Sequence, residues 1–227
     1  YNPELETNAQ FGKGWHLLVP FRLEGEPPSS LSDPRSLPRR VTMVNVLSGV
    51  RETLTLEKSE SGKYAYVPKD KGCLAESLIR RSDGVWVLQD VLGAQFVFDP
   101  EGDLRRMTLR QDRDVSFKIG SKSQSKRIPG YAVEYEYGTR TIGGRDSKVL
   151  TTVKQGNHAA RIDWQDDPSP VRIAAIRVLE AGQIQPVEVL SYGYDSNGML
   201  ARVSTKKDRS ISVRYEDGNM RVAAAQE

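Results

Sequence analysis

The segment Tyr192-Gly193-Tyr194-Asp195-Ser196-Asn197-Gly198-Met199-Leu200-Ala201-Arg202-Val203 reads as a strand, a tight turn and a second strand. Residues two apart in a strand share a face, so Tyr192 and Tyr194 stand side by side. The Asp195 carboxylate is placed to accept hydrogen bonds from amides of its own turn. Gly198 falls where the chain needs a positive φ to close that turn. Leu200 then opens the return strand beside the aromatics, and cross-strand aromatic–aliphatic pairs contribute roughly 0.2–1 kcal/mol each. The same pattern stands earlier, with Phe96, Phe98, Asp99, Gly102 and Leu104 in the corresponding places, and again, one turn residue shorter, around Tyr215-Glu216-Asp217-Gly218.

Outward from these units, short β patterns follow one another closely. They cover Val41 to Val46, Thr53 to Leu56, Tyr64 to Val67, Val85 to Leu88, Phe96 to Phe98, Leu104 to Leu109, Val115 to Ile119 and Val133 to Tyr137. The series continues through Val149 to Val153, Ile162 to Trp164, Val171 to Leu179, Val187 to Tyr194, Leu200 to Ser204, Ile211 to Tyr215 and Met220 to Val222. Ser61-Gly62 and Asp83-Gly84 mark hairpin turns. Gly120 to Gly130 and Asp166 to Pro170 read as exposed loops, and Gly72 to Arg81 is the one stretch that suggests a helical turn. The predicted fold is all-β: an antiparallel, hairpin-rich ribbon or open sheet. Residues 1–23 form an N-terminal arm and first strand, and 24–40, with Pro27, Pro28, Pro34 and Pro38, form a loop that cannot pair in a sheet. Residues 41–227 form a continuous hairpin-repeat region that makes a single domain with 1–23.

Composition excludes several function classes. The protein of 227 residues has 33 Lys plus Arg against 30 Asp plus Glu, a net charge of +3, which argues against nucleic acid as the main partner. Cys73 is the only cysteine, so neither an intrachain disulfide nor a thiolate zinc cluster can form. No run approaches 18 consecutive apolar residues, so no membrane-spanning helix is expected. Tyr1 is not an initiator methionine, which points to a processed or excised piece.

The repeat decays into relatives such as Val133-Glu134-Tyr135-Glu136-Tyr137-Gly138 and Arg161-Ile162-Asp163-Trp164. A unit that cannot bury its apolar face alone must stack on its neighbours. The Tyr-x-Tyr-Asp-x-x-Gly-x-Leu unit resembles the YD repeat of RHS (rearrangement hotspot) proteins. Tyr1-Asn2 followed by Phe11-Gly12-Lys13-Gly14-Trp15 is similar to the stretch that precedes the first repeats in that family, and Gly62-Lys63-Tyr64, Asp83-Gly84-Val85-Trp86 and Gln95-Phe96-Val97-Phe98-Asp99 follow in the family's order. This sequence departs from the family at Phe96 and Phe98, which replace both tyrosines, and at Asp103 and Met199, where the family favours Arg. The resemblance implies a long β-ribbon that spirals into a hollow shell, which in bacterial RHS proteins and insecticidal toxin complexes encloses a C-terminal toxin cargo. It also implies a secreted, periplasmic or cell-surface protein of bacterial origin. Asp99-Pro100-Glu101-Gly102 matches the letters of the self-cleavage core that ends such shells, but it sits inside an ordinary repeat and reads as turn chemistry.

Candidate chemistry is sparse. His16 and His158 are the two histidines, and neither forms with Cys73 a recognisable nucleophile–base pattern. Asp195, Asn197 and Asp217 offer too few oxygens for calcium, and capping of their own turns accounts for them better. Asp163, Asp166 and Asp167 beside Trp164 read as loop carboxylates rather than as an acid/base pair acting on a sugar. Trp15, Trp86 and Trp164 are the candidates for stacking on sugar rings, although the alternation sets most aromatics in phase with core positions. No catalytic residue, cofactor or metal is expected. The function expected is a structural scaffold of an encapsulating or cell-surface shell, whose partners are neighbouring repeats or chains at open sheet edges, or a toxin cargo. The alternative is a carbohydrate- or cell-surface-binding module.

Overall fold

Alternating apolar and polar residues, punctuated by glycine turns, suit a sheet with one buried face. The computed structural model describes residues 19–25, 37–46, 50–58, 62, 64–69, 73–110, 113–119, 122–128, 130–142, 144–165, 172–206, 209–216 and 219–226. Every regular element among them is a strand: β1 (Phe21–Glu24), β2 (Arg40–Asn45), β3 (Arg51–Lys58), β4 (Tyr64–Pro68), β5 (Ala75–Arg80), β6 (Trp86–Asp90), β7 (Gln95–Phe98), β8 (Leu104–Arg110) and β9 (Arg113–Ile119). They continue as β10 (Lys122–Ile128), β11 (Tyr131–Ile142), β12 (Arg145–Gln155), β13 (His158–Trp164), β14 (Ile173–Glu180), β15 (Glu188–Tyr194), β16 (Leu200–Thr205), β17 (Ser210–Glu216) and β18 (Asn219–Gln226). The protein is all-β and antiparallel, an open sheet of consecutive hairpins.

Two compact units divide it. The N-terminal unit comprises Phe21–Asn45 and Val50–Glu134, and the C-terminal unit is built chiefly from Tyr135–Glu227. Within the N-terminal unit β1 to β8 hydrogen-bond in sequence order, and the first residues of β11 then pair with β8. Strands β9 and β10 form their own hairpin. In the C-terminal unit the rest of β11 and β12 to β18 likewise follow in sequence order.

The N-terminal core is a set of cross-strand rows. Tyr66 opposes Leu78, Leu78 opposes Leu88, and Leu88 opposes Phe96, all buried. In the next row Trp86 opposes Phe98, and Phe98 opposes Leu104. Strand β1 meets the sheet a second time. Its Phe21 ring lies edge-on to Phe96 with centroids 5.0 Å apart, and Leu23 donates its amide to the Gly102 carbonyl at 2.9 Å. One isolated bridge joins Arg22 to Asp103, with an ion pair of 3.5 Å between their side chains. Among the described residues this bridge does not extend into a ladder, and the sheet stays open.

Two sequence expectations meet a different outcome, and three fall outside the described residues. The stretch from Gly72 to Arg81 holds strand β5, not a helical turn. A register shift between Ala75 and Ser77 changes the phase of alternation, so Ala75 and Leu78 both point inward although three apart. That spacing mimics a helix. Gly120 to Gly130, expected as a loop, contains β10, a Lys- and Ser-rich strand in full register with β9. Backbone pairing in a two-stranded hairpin does not need an apolar stripe, so composition concealed it. The predicted first strand around Trp15, most of the Pro-rich stretch and Asp166 to Pro170 lie outside the described residues.

Gly93 and Gly102 share a positive φ, 83° and 91°, but not a neighbourhood. A Cβ on Gly93 would meet nothing within 4 Å, whereas one on Gly102 would lie 2.2 Å from the Leu23 carbonyl oxygen. In urea unfolding, Gly93→Ala is therefore expected to cost about 1 kcal/mol from backbone conformation alone. Gly102→Ala is expected to cost about 3 kcal/mol or more, because β1 must also move. Equal costs would contradict this role of β1.

Candidate functional site

The repeated feature with defined chemistry is the hairpin turn, and among the described residues four copies share one backbone geometry. Gly84, Gly93, Gly102 and Gly198 each donate an amide to the carbonyl three residues earlier, at 3.0, 3.0, 3.0 and 2.9 Å. The amides of Arg81, Asp90, Asp99 and Asp195 donate in turn to the carbonyls of Val85, Ala94, Asp103 and Met199. With φ of 83°, 83°, 91° and 77° at the glycines, these are type I turns followed by a left-handed residue. Three of them begin with an aspartate whose Oδ1 folds back over the turn. Asp90 accepts from Leu92 and Ala94 at 2.9 and 2.7 Å, Asp99 from Asp103 at 2.9 Å, and Asp195 from Asn197 and Met199 at 2.9 and 2.8 Å.

The turns at Asp99 and Asp195 also share a bulge. Phe98 opposes Leu104 and Val97 opposes Arg106, while Tyr194 opposes Leu200 and Gly193 opposes Arg202. The extra residues are Arg105 and Ala201, and a bulge re-aims the side chain it inserts. Arg105 uses this to donate its Nε to Asp99 Oδ2 at 2.9 Å. Asp99 is thus buried at 6% exposure, whereas Asp195, with alanine at the equivalent place, is exposed.

Around the Asp195 turn, Tyr194 donates its hydroxyl to the Ile173 carbonyl at 2.7 Å. The Arg172 guanidinium stacks 5.3 Å from the centroid of the Tyr194 ring. It also rests on Gly198, where a Cβ would fall 1.8 Å from Nη2. Arg172 Nε is buried without a hydrogen-bond partner, so stacking and not hydrogen bonding holds this end of the guanidinium. Tyr192 is half-buried, and that burial pushes its phenol pKa up. The strand carrying Tyr215 pairs Tyr215 with Met220 and Glu216 with Asn219, and Gly218 lies outside the described residues.

Trp86 and Trp164 are packed into the sheets. Trp15 lies outside the described residues, and Trp86 and Trp164 are 5% and 7% exposed. Tyr66 packs at 5.4 Å from the Trp86 ring and the Arg80 guanidinium covers it at 4.8 Å. Trp164 donates its indole N–H to the Leu150 carbonyl at 2.9 Å. It helps line an open depression of about 430 Å³ with Thr139, Arg140, Val149, Thr151, Ile162 and Asp163. Asp163 is also ion-paired to Arg177. Among the described residues no three His, Cys, Asp or Glu converge on a point where a metal ion would sit. His158 is exposed at the start of β13, opposite Glu180, and His16 is outside the described residues.

Sequence reading keyed on aromatic pairs passed over the Asp90–Gly93 turn, whose flanks are aliphatic, although its Asp-x-x-Gly spacing was visible. Arg172, Leu23 and Arg105 carry no local signal, because each acts on a turn in another part of the sheet or through a bulge. A scan against protein-family models finds no match, and a search of curated proteins finds none either.

Two tests follow from this geometry. Asp99→Ala removes the acceptor of the Asp103 amide and the buried end of the ion pair with Arg105, and is expected to lower stability by about 2–3 kcal/mol, against about 1 kcal/mol for Asp195→Ala. Chemical denaturation compares the two directly, and a larger loss at Asp195 would refute the ranking. The second test uses pH. Burial pushes the Tyr66 phenol from 10.0 up to about 12, against a smaller opposing pull from Arg80. The folded state thus prefers the neutral phenol, and the stability it contributes is complete below the ordinary value and lost as pH rises through about 12. Tyr66 donates its hydroxyl to the Pro38 carbonyl at 2.8 Å, so Tyr66→Phe should start about 1 kcal/mol less stable near neutrality. It should then lose less than wild type on alkaline titration of the urea midpoint. Parallel titrations would exclude Tyr66 as the titrating group.

Proposed function

We propose that the protein is a non-catalytic structural scaffold, a segment of a YD-repeat-type β-shell that encapsulates or displays in an exported bacterial toxin-type system. The observation that carries this reading is the recurrence of one turn, with the same hydrogen bonds and the same left-handed glycine, at the ends of the three consecutive hairpins from β5 to β8 and again at the β15–β16 hairpin. Repetition of a turn, rather than convergence of reactive side chains on one cleft, is the organisation of a wall. Buried aromatics support it further: Phe96, Phe98, Trp86 and Trp164 serve to hold strands together. On this reading the partners are neighbouring repeats or chains, and the place of action is the periplasm, the cell surface or the medium.

Among the described residues β18 pairs with β17 alone, which leaves its other side for a further strand. The scaffold reading therefore expects reversible self-association in sedimentation velocity as concentration rises. Neighbouring residues of a strand send their amides to opposite sides, so either Arg221→Pro or Val222→Pro removes an outward-facing donor. One of the two should abolish association while the protein stays folded by circular dichroism. A concentration-independent monomer would count against the scaffold.

A carbohydrate-binding module is the second reading, favoured by the depression with Trp164 and Ile162 in its wall and Arg140 and Asp163 on its lining. Glycan-array binding that is lost on Arg140→Ala and Asp163→Ala, with stability retained, would move the assignment to this reading.

A further inference from the structure

We propose that Asn197–Gly198 is a latent deamidation site whose reaction is held off by the Asp195 clamp. The sequence holds a single Asn-Gly pair, and it stands at the tip of the β15–β16 hairpin with Asn197 exposed. In an unconstrained Asn-Gly pair the deprotonated Gly nitrogen attacks the Asn Cγ. A new C–N bond closes a five-membered imide, and the bond from Cγ to Nδ2 breaks to release ammonia, which carries off the proton. Water then opens the imide at either carbonyl, leaving aspartate or isoaspartate. Only water is consumed.

Three contacts of this turn oppose the first step. The attacking nitrogen is Gly198 N, and its hydrogen is donated to the Asp195 carbonyl at 2.9 Å, which disfavours its loss. The two flanking amides, of Asn197 and Met199, are both tied to Asp195 Oδ1, at 2.9 and 2.8 Å. The Asp195 amide is bonded in turn to the Met199 carbonyl at 2.9 Å, which closes the loop. Such a type I turn holds the residue in the Asn197 place near φ −90° and ψ about 0°. Attack on its own Cγ requires the peptide plane to rotate out of that arrangement, breaking these bonds together.

The product has a structural consequence. Isoaspartate inserts a methylene into the backbone immediately before Gly198, the residue on which the Arg172 guanidinium rests. The turn cannot keep its four-residue spacing with the extra atom, so the Arg172–Tyr194 stack is released. The modification thus acts as an irreversible loosening of one hairpin, available only to molecules in which the turn has opened.

The test is peptide mapping by mass spectrometry during incubation at mildly alkaline pH, with isoaspartate resolved by chromatography. A synthetic peptide spanning Tyr192 to Val203 supplies the unconstrained rate. Conversion at Asn197 in the folded protein is expected to be at least about tenfold slower than in the peptide, since it proceeds through local opening. Asp195→Ala should bring the rate toward that of the peptide, and Asp195→Asn, which keeps an acceptor oxygen, should remain closer to wild type. Asn197→Gln should abolish the product. If Asp195→Ala fails to fold, hydrogen exchange on the wild-type protein decides: protection of the Gly198 amide is expected, and exchange at the free-peptide rate overturns the proposal. Equal or faster conversion in the folded protein than in the peptide also overturns it.

Discussion

In three of the four related turns an aspartate carboxylate lies back over its own loop and collects the amides that the sheet leaves unpaired. The rest of the sheet depends on that closure, because turn geometry sets strand register and a slip of one residue would turn every side chain to the opposite face. At Asp99 the consequence is large. With the turn held, Phe98 meets Trp86 on one side and Leu104 on the other, and Phe96 meets Leu88. Released, the same strand would present both rings to solvent. Each hydrogen bond contributes only about 1 kcal/mol, but together they select one register among several that the backbone allows.

The two best-matched repeats are put to different uses by their surroundings. At Asp99 the bulged residue is arginine, and the carboxylate becomes a buried, ion-paired junction on which β1 also converges through Gly102. At Asp195 the bulged residue is alanine, the carboxylate stays wet, and the turn glycine instead serves as a platform for Arg172. In both places the absent Cβ does two things at once: it permits a left-handed backbone and it admits a neighbour closer than any side chain would allow. The neighbour differs, a backbone carbonyl in one case and a guanidinium in the other.

Much of the hairpin order was legible in the sequence because the Phe/Tyr-x-Phe/Tyr-Asp-x-x-Gly-x-Leu unit encodes alternation, turn and return strand within nine residues. Where a strand departs from simple alternation, the signal failed for definable reasons. The bulge at Ala75 and Ser77 turned a strand into an apparent helical turn, and the polar β10 carried no apolar stripe. The contacts that distinguish one turn from another were not legible at all. Nothing near Gly102 announces Leu23, and nothing near Gly198 announces Arg172, since both approaches are made by residues outside the turn's own hairpin. Local chemistry specifies the turn, and the fold supplies its neighbours.

The central pair of residues in these turns differs from copy to copy: Ser82-Asp83, Val91-Leu92, Pro100-Glu101 and Ser196-Asn197. Val91 and Leu92 are 59% and 85% exposed, yet their turn keeps the same hydrogen bonds as its polar counterparts. The backbone therefore makes almost no demand on what is written at these tips. Such a hairpin separates the residues that maintain the sheet from those exposed at its turns, so the tips can diversify, charged in one copy and greasy in the next, without renegotiating the architecture beneath them.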